Sequence, residues 1–458
     1  MNNTNNQQFL GEGSYGCAWK PGISCNYKIN TTNTVNKIQK INFYSLNELL
    51  ISDKIKKIKK YTTRFSAIQN YCKVKFEKIL HSSININKCE NLFKKYIQQK
   101  SSNNQLLEDE YYMFYINYIH GDELGLFFNT IKDTPYLYYK YYLYSIYYLL
   151  NSIQILIDNN IMHNDLHSSN IIYNYKKNRP IIIDFGLSTY NTKFYIKKKL
   201  NTYLNYDYLH NLFFNYTNDS INHLHEKRFI SFIINNDNIN YYKYINDDNI
   251  INDLNENIIN LFINDIIDSI NNYELKFIFT NNEILTYKNY LQKFYYKFID
   301  KKNYPYISTI VKELLPYVFK YNDLYMISFT YINNYYRRFY NNLTQENPLK
   351  SEYIFIFYLL SQLFKKVFYP DPDNRIQTYQ FIKIIQYIIN YINTFDTNLL
   401  SQNNNDYYTD FYNNFYIFLD SININTNHFF DKNYAYIDFN NVINKKNILL
   451  FKKLDIKL

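Results

Sequence analysis

Glycine is close to absent from this chain, and the places where it survives constrain the fold more than any other feature. Seven of 458 residues are glycine: Gly11, Gly13, Gly16, Gly22, Gly121, Gly125 and Gly186. Three fall within six residues, and none follows position 186. A sequence under pressure to lose glycine keeps it where no side chain fits, at positive φ or where the backbone closely approaches a ligand. The map predicts a tight loop at 11–16 and a special turn at 186.

The same pressure shows in the rest of the composition. The chain is heavy in Asn, Ile, Lys and Tyr and poor in Gly, Pro, Ala and Trp, the bias of an AT-rich genome. That drift accounts for the 50 Lys+Arg against 40 Asp+Glu, a net charge of +10. Lysines gained in this way are mostly solvated surface, which argues against a nucleic-acid partner. Cys17, Cys25, Cys72 and Cys89 show neither CxxC nor Cys/His metal spacing and form no dense framework, as expected in a reducing cytosol. Residues Met1 to Gln8 are polar and lack the apolar stretch of a signal peptide. Apolar runs such as Ile354–Leu360 stay below the roughly 18 to 20 residues of a membrane span. The expectation is a soluble cytoplasmic chain of two or three structural units, its oligomeric state open.

Residues 9–45 alternate short apolar runs with turns and read as strands joined by hairpins. Leu46, Leu49, Leu50, Ile55 and Ile58 recur at helical spacing with lysines on the other side. Residues 61–76 read as strand and loop, 77–109 as a polar helical insertion, and Tyr111–Ile119 as a strand. Tyr136–Asp158 reads as a long amphipathic helix, followed by short strands at Ile171–Tyr173 and Ile181–Ile183. Residues 187–305 are studded with Asn and Asp and read as a helical insertion. Helical periodicity returns at 307–340, 351–369 and 376–394, and an Asn-rich linker opens the tail at 400–458. Strand before about 119 and helix after it makes an α+β domain of two lobes.

Two motifs carry chemistry. Gly11-Glu12-Gly13-Ser14-Tyr15-Gly16 has the spacing of dinucleotide-binding loops, but those run from a strand straight into a helix. Here Cys17-Ala18-Trp19 continues as a strand, giving a glycine-rich hairpin whose backbone N–H groups can lie over a triphosphate. The second motif is His163-Asn164-Asp165-Leu166-His167-Ser168-Ser169-Asn170, followed by Asp184-Phe185-Gly186. Phosphoryl transfer needs a base to orient a hydroxyl, oxygen ligands for Mg²⁺, and positive charge on the phosphates. Asp165 fits the base, and Asn170 with Asp184 fits the ligands of a hard cation.

These residues resemble the eukaryotic-type protein kinase family. The resemblance implies a bilobal kinase-like fold. Residues 1–119 would be a small β-rich N-lobe, 120–395 a larger helical C-lobe with an insertion at about 187–305, and 396–458 a C-terminal extension. It implies ATP with Mg²⁺, Mn²⁺ being the alternative, and a protein substrate phosphorylated on Ser or Thr. Lys37, in Val35-Asn36-Lys37, resembles the strand lysine that holds the α- and β-phosphates, with Lys40 the runner-up. Glu48 resembles the glutamate that pairs with that lysine. The glycine-rich loop from Gly11 to Gly16 would cover the nucleotide, with Ala18 at the usual valine position. Asn117-Tyr118-Ile119 resembles the hinge whose backbone holds adenine, and Asp122 or Glu123 would reach the ribose. Asp323 resembles a buried helix aspartate that braces the catalytic loop. Arg375, in Asp371-Pro372-Asp373-Asn374-Arg375, resembles the arginine that ties down the activation segment.

A closer likeness is to the serine/threonine kinases of large nucleocytoplasmic DNA viruses. It is carried by Gly13 through Pro21 with Cys25, by Asn36-Lys37-Ile38-Gln39, and by Phe65-Ser66-Ala67-Ile68 with Cys72. In that setting Cys72 and Cys89 are expected as packing residues, and the location as host cytoplasm, with virion packaging an option.

Two positions and one missing motif depart from the family pattern. Asn164 replaces the arginine that usually receives an activation-loop phosphate, which points away from loop phosphorylation as the switch. His167 replaces the lysine that steadies the γ-phosphate; a histidine can still donate a hydrogen bond there, best when protonated. Asp-Leu-His also occurs in kinases of small molecules such as choline. Between 187 and 322 there is no Ala-Pro-Glu, though Glu313 stands at a workable distance before Asp323. Three readings stay open: an active protein kinase, a kinase of a small hydroxylated molecule, and a pseudokinase that binds nucleotide. Lys37, Asp165, Asn170 and Asp184 are all present, which favours an active enzyme.

Overall fold

The computed structural model describes residues 8–13, 16–21, 33–98 without 81 and 83, 109–191, 195–198, 201–204, 209, 223–235, 254–272, 275, 278–279, 281–333, 360–394, 414–415 and 417–424. Two compact units divide the chain, one of residues 1–124, 163–165 and 169–190, the other of 125–162, 166–168 and 191–458. Strands and helices together make it an α+β protein.

The first unit is built on a five-stranded antiparallel sheet. Its strands are Gln8–Glu12 (β1), Gly16–Lys20 (β2), Thr34–Lys40 (β3), Ile68–Lys75 (β4) and Glu110–Asn117 (β5), in the order β1-β2-β3-β5-β4. Strand β5 shows why both faces are covered. Tyr111, Met113 and Tyr115 join one core cluster with Cys17, Trp19, Ile38 and Val74. Tyr112 and Phe114 join another with Ile68, against which Leu49 packs. Side chains alternate faces along a strand, so an uninterrupted apolar run buries on both.

The stretch expected as a polar insertion contributes to that core. Helices at Phe76–Leu80 and Glu90–Gln98 (α2) bring Phe76, Ile79, Leu92 and Phe93 onto the sheet. Among its described residues, Ile79, Ile84, Leu92 and Phe93 are buried while Glu77, Lys88, Glu90 and Lys94 are exposed. Cys89 corrects a second expectation. It forms a disulfide with Cys17 across a Cα–Cα distance of 6.1 Å, tying β2 to the start of α2. Cys72 is also disulfide-bonded, to a partner outside the described residues. The cysteines are therefore cross-links rather than packing thiols, which does not fit the reducing setting read from their spacing.

Helix Phe43–Ile55 (α1) begins at Asn42, whose side chain accepts from the Ser45 backbone N–H at 3.0 Å while Ser45 Oγ accepts from the Asn42 N–H. This reciprocal cap satisfies two donors that an open helix end leaves free. The helix presents Ser45, Asn47, Glu48, Ile51, Ser52 and Ile55 to the interior, and Leu46 is half exposed at 51%. Of the apolar positions read as one face, Ile55 and Ile58 are buried and Leu49 packs against the sheet, whereas Leu46 is exposed. The buried face is mixed: Ile51 and Ile55 fill the core, while Asn47 and Glu48 hold the neighbouring segments.

A smaller antiparallel sheet completes this unit: Gly121–Glu123 (β6), Ile171–Asn174 (β7) and Arg179–Ile182 (β8). A Cβ at Gly121 would lie 1.9 Å from the Tyr173 carbonyl oxygen, so no other residue fits that edge. No described glycine has positive φ. The special turn expected at Gly186 is carried instead by Asp184, at φ 58°.

The second unit is helical: Pro135–Asp158 (α3), His225–Asn235 (α4), Glu256–Asn272 (α5), Asn281–Tyr296 (α6), Ile307–Tyr331 (α7) and Thr378–Thr394 (α8). The expected insertion at 187–305 thus supplies three helices, α4 to α6, together with a hairpin of Tyr195–Lys198 and Asn201–Leu204. Tyrosine does much of the packing, filling the core with its ring. Tyr142 and Tyr331 meet ring to ring at 5.0 Å, and Tyr331 exchanges a 2.6 Å hydrogen bond with Ser145. Helices α5 and α6 are joined where Asn260 Oδ1 accepts from Tyr296 and Gln292 at 2.8 and 3.1 Å. No described helix is long and apolar enough to cross a membrane. Most of the tail from 400 onward lies outside the described residues.

Candidate functional site

Lysine 37 sits mid-strand on β3, opposite Ala18 of β2 and Phe114 of β5. Its Nζ donates to Glu48 Oε1 and Oε2 at 3.1 and 3.0 Å and to Asp184 Oδ1 at 2.8 Å. One cation is thus shared between α1 and the turn after β8. Burial works against the Lys37 ammonium, but Asp184 and Glu48 outweigh it, and its pKa is raised. Burial raises the Glu48 pKa, an effect that Lys37 opposes. Burial also pushes the Asp184 pKa up, but Lys37 prevails and holds it low. Lys40 ends the same strand, exposed to solvent.

Neighbouring polar side chains fix this arrangement. Asn47 Nδ2 donates to the carbonyls of Gly186 and Ser188 at 3.0 and 2.6 Å, pinning α1 to the segment after Asp184. Gln39 Nε2 donates to Glu48 Oε2 at 2.8 Å. The Gly186 N–H meets Asp184 Oδ1 at 3.4 Å, helping to hold the left-handed backbone at Asp184. Phe185 is buried against His163 and Phe65, with ring centroids 4.8 and 6.2 Å away.

The loop before β7 is ordered just as closely. His163 Nδ1 accepts from the Asp165 N–H at 3.3 Å, so its Nε2–H donates to the Ile183 carbonyl at 2.9 Å. Asn164 adopts φ 67° and donates to the Leu187 carbonyl at 3.2 Å. Asn170 Nδ2 reaches the Asp165 carbonyl at 2.8 Å and its carboxylate at 3.0 Å. The amide thereby fixes where Asp165 points. Asp184 Oδ2 has no protein partner among the described residues, and with the Asn170 amide oxygen it is the donor type that a hard cation takes.

The remaining candidates are placed as follows. Gly11 and Gly13 would carry a Cβ without a clash, whereas one at Gly16 would meet the Ile38 carbonyl at 2.3 Å. The Gly13 N–H closes on the Gly16 carbonyl at 2.8 Å. Ser14 and Tyr15 lie outside the described residues. Glu12 turns its carboxylate to the start of α2, where Oε1 accepts from the Asn91 N–H at 2.7 Å. Asn117 pairs with Thr34 at the end of β5, and the next N–H, of Tyr118, donates to the Asn33 carbonyl at 2.8 Å. Ile119 follows in the connection to β6. Asp122 accepts the Tyr175 hydroxyl at 2.5 Å; burial and this bond push the Tyr175 pKa up to about 12. Glu123 is exposed beside it. Among the described residues the only grouping of potential metal ligands is Glu12, Cys17 and Cys89, and the two sulfurs are bonded to each other.

In the second unit His167 is half-buried and Asp323 is buried on α7, whose Thr330 donates to the Leu166 carbonyl at 3.4 Å. Arg375 makes a two-pronged pair with Glu226, at 2.8 Å on each side, with both side chains fully enclosed. Sequence reasoning missed Glu226. Its signal was an acid in the first turn of an amphipathic helix, in Leu224-His225-Glu226. Glu313 pairs instead with Lys297 at 2.6 Å and accepts the Tyr304 hydroxyl at 2.6 Å. Gln39 and Asn47 were also missed, being ordinary residues in an Asn- and Gln-bearing chain. Comparison of the chain with protein-family models and with curated proteins finds no match in either.

Proposed function

We propose that this chain is an ATP- and Mg²⁺-dependent protein kinase that transfers the γ-phosphate to Ser or Thr hydroxyls, on a bilobal kinase-like fold. The observation that carries the reading is the sharing of Lys37 between Glu48 and Asp184, in the same unit as an Asp165 aimed by Asn170. A lysine kept charged and held by a glutamate is what the α- and β-phosphates need. Asp165 orients the acceptor hydroxyl and takes its proton. Asp184 and the Asn170 amide oxygen would hold Mg²⁺, which neutralises phosphate charge when bound. The enclosed Arg375–Glu226 pair adds support, since the late arginine motif calls for such an acid. On this reading its protein substrates would lie in a host cytoplasm, as the resemblance to kinases of large DNA viruses implies. The disulfides weigh against that location, and virion packaging remains the other option.

His167 supports a second reading, a kinase of a small hydroxylated molecule. One assay separates the two. Purified protein is incubated with labelled ATP and Mg²⁺, with casein-like acceptors or small alcohols, beside Asp165→Ala and Asp184→Ala. Label on protein that vanishes in both variants supports the protein kinase. Turnover of a small alcohol alone supports the second reading, and thermal stabilisation by ATP without transfer marks a pseudokinase.

A further inference from the structure

Gln39 lies in the Asn36-Lys37-Ile38-Gln39 stretch, but the proposed chemistry gives it no role. It follows Lys37 by two residues on β3, so both side chains leave the same face of the strand. It is 2% exposed, and its Nε2 donates 2.8 Å to Glu48 Oε2, the oxygen that also takes Lys37 at 3.0 Å. Its Oε1 is buried without a partner, an unusual cost for an amide unless the other end is needed. Its stem fills the space where Gly16 has no side chain: a Cβ there would fall 2.6 Å from Gln39 Cγ. Gly16 and Gln39 are paired residues across β2 and β3.

We infer that Gln39 is a positioning residue, whose amide keeps the Glu48 carboxylate ionised and aimed at Lys37 while its stem seats the last glycine of the hairpin. The role in transfer rests on the kinase reading; the effect on Glu48 does not. The groups facing Glu48 are Lys37 and Gln39 from β3 and Asp184 from the turn after β8. A neutral amide N–H donating to a carboxylate favours its charged form, and without it Glu48 shares only the Lys37 ammonium, which Asp184 also draws.

The test uses Gln39→Met, which keeps the length of the stem and removes the amide, and Gln39→Glu, which sets a second carboxylate against Glu48. Carboxylate titration of Glu48 by NMR in the nucleotide-free full chain reads the positioning directly. The Glu48 midpoint is expected to rise in Gln39→Met; an unchanged midpoint overturns the inference. In the transfer assay, Gln39→Met should lower kcat about tenfold, the worth of one hydrogen bond to a charged group, and leave KM for ATP within about threefold. Gln39→Glu should lose more at pH 8 and recover towards Gln39→Met near pH 6, where one proton can be shared between the two acids. Wild type and Gln39→Met should show no such recovery, which distinguishes positioning from a packing defect. An active wild type with an unchanged kcat in Gln39→Met overturns the role in transfer. A wild type that neither transfers phosphate nor binds ATP, with the midpoint shift present, sinks the kinase reading and leaves the positioning of Glu48 standing.

Discussion

The molecule holds two clusters of opposed charge, built to different ends. In the helical unit, Arg375 and Glu226 are 1% and 0% exposed, and the arginine also donates to the Tyr369 and Pro370 carbonyls at 2.5 and 3.2 Å. In the sheet unit, Lys37, Glu48 and Asp184 are 14%, 4% and 39% exposed, and one cation faces two acids. The first cluster is balanced and closed, so it can only hold. The second is over-supplied with negative charge and open at Asp184, so it can exchange partners. A closed pair specifies structure, while an open, unequal one is ready for a ligand.

The largest expected effect breaks the closed pair. Glu226→Ala leaves Arg375 buried with its charge unmatched and should cost about 3–5 kcal/mol, read by denaturant unfolding. A loss below 1 kcal/mol would mean that the pair is wetter than it looks. Next comes the open cluster. Lys37→Ala should reduce phosphate transfer about a hundred- to a thousandfold with the fold retained, because Glu48 can take up a proton in place of its partner. If Lys40→Ala abolishes transfer and Lys37→Ala does not, the lysine is misassigned.

A subtler contrast lies at alkaline pH. Because the folded pKa of Lys37 is raised, its contribution to stability is complete below the ordinary lysine value of 10.5 and is lost as pH rises through the folded value. The stability gap between wild type and Lys37→Ala should therefore shrink above pH 10.5, whereas the gap to Glu226→Ala should change less, its partner being an arginine. The smallest effect is local. Asn42→Ala removes the cap of the helix that carries Glu48 and should cost about 1 kcal/mol. It should leave Arg375 and Glu226 undisturbed, as hydrogen exchange of α4 and α8 would report.

These clusters also show what could be read in advance. Lys37, Glu48, Asp165, Asn170 and Asp184 were singled out because the proposed phosphate chemistry would demand such groups at such spacing, and the structure gathers Lys37 with Glu48 and Asp184, and Asp165 with Asn170. Strand β5 was legible from its short, uninterrupted apolar run, a pattern that needs no tertiary information. Helix α1 was found with Ile55 correctly on its buried side, but Leu46 is exposed and Ser45, Asn47, Glu48 and Ser52 face inward, which hydrophobic periodicity does not foresee. Glu226 was invisible because its partner lies 149 residues away. The disulfide escaped for a similar reason, since a pairing across 72 residues leaves no trace in spacing.

That bond has a practical corollary for anyone handling the protein. A protease nick anywhere between Cys17 and Cys89 cuts the polypeptide without parting its pieces, because the sulfur bridge still spans the gap. Fragments should therefore migrate together on a non-reducing gel and separate only once a thiol is added, making the bridge a built-in tag for cleavage in β3, α1 or β4.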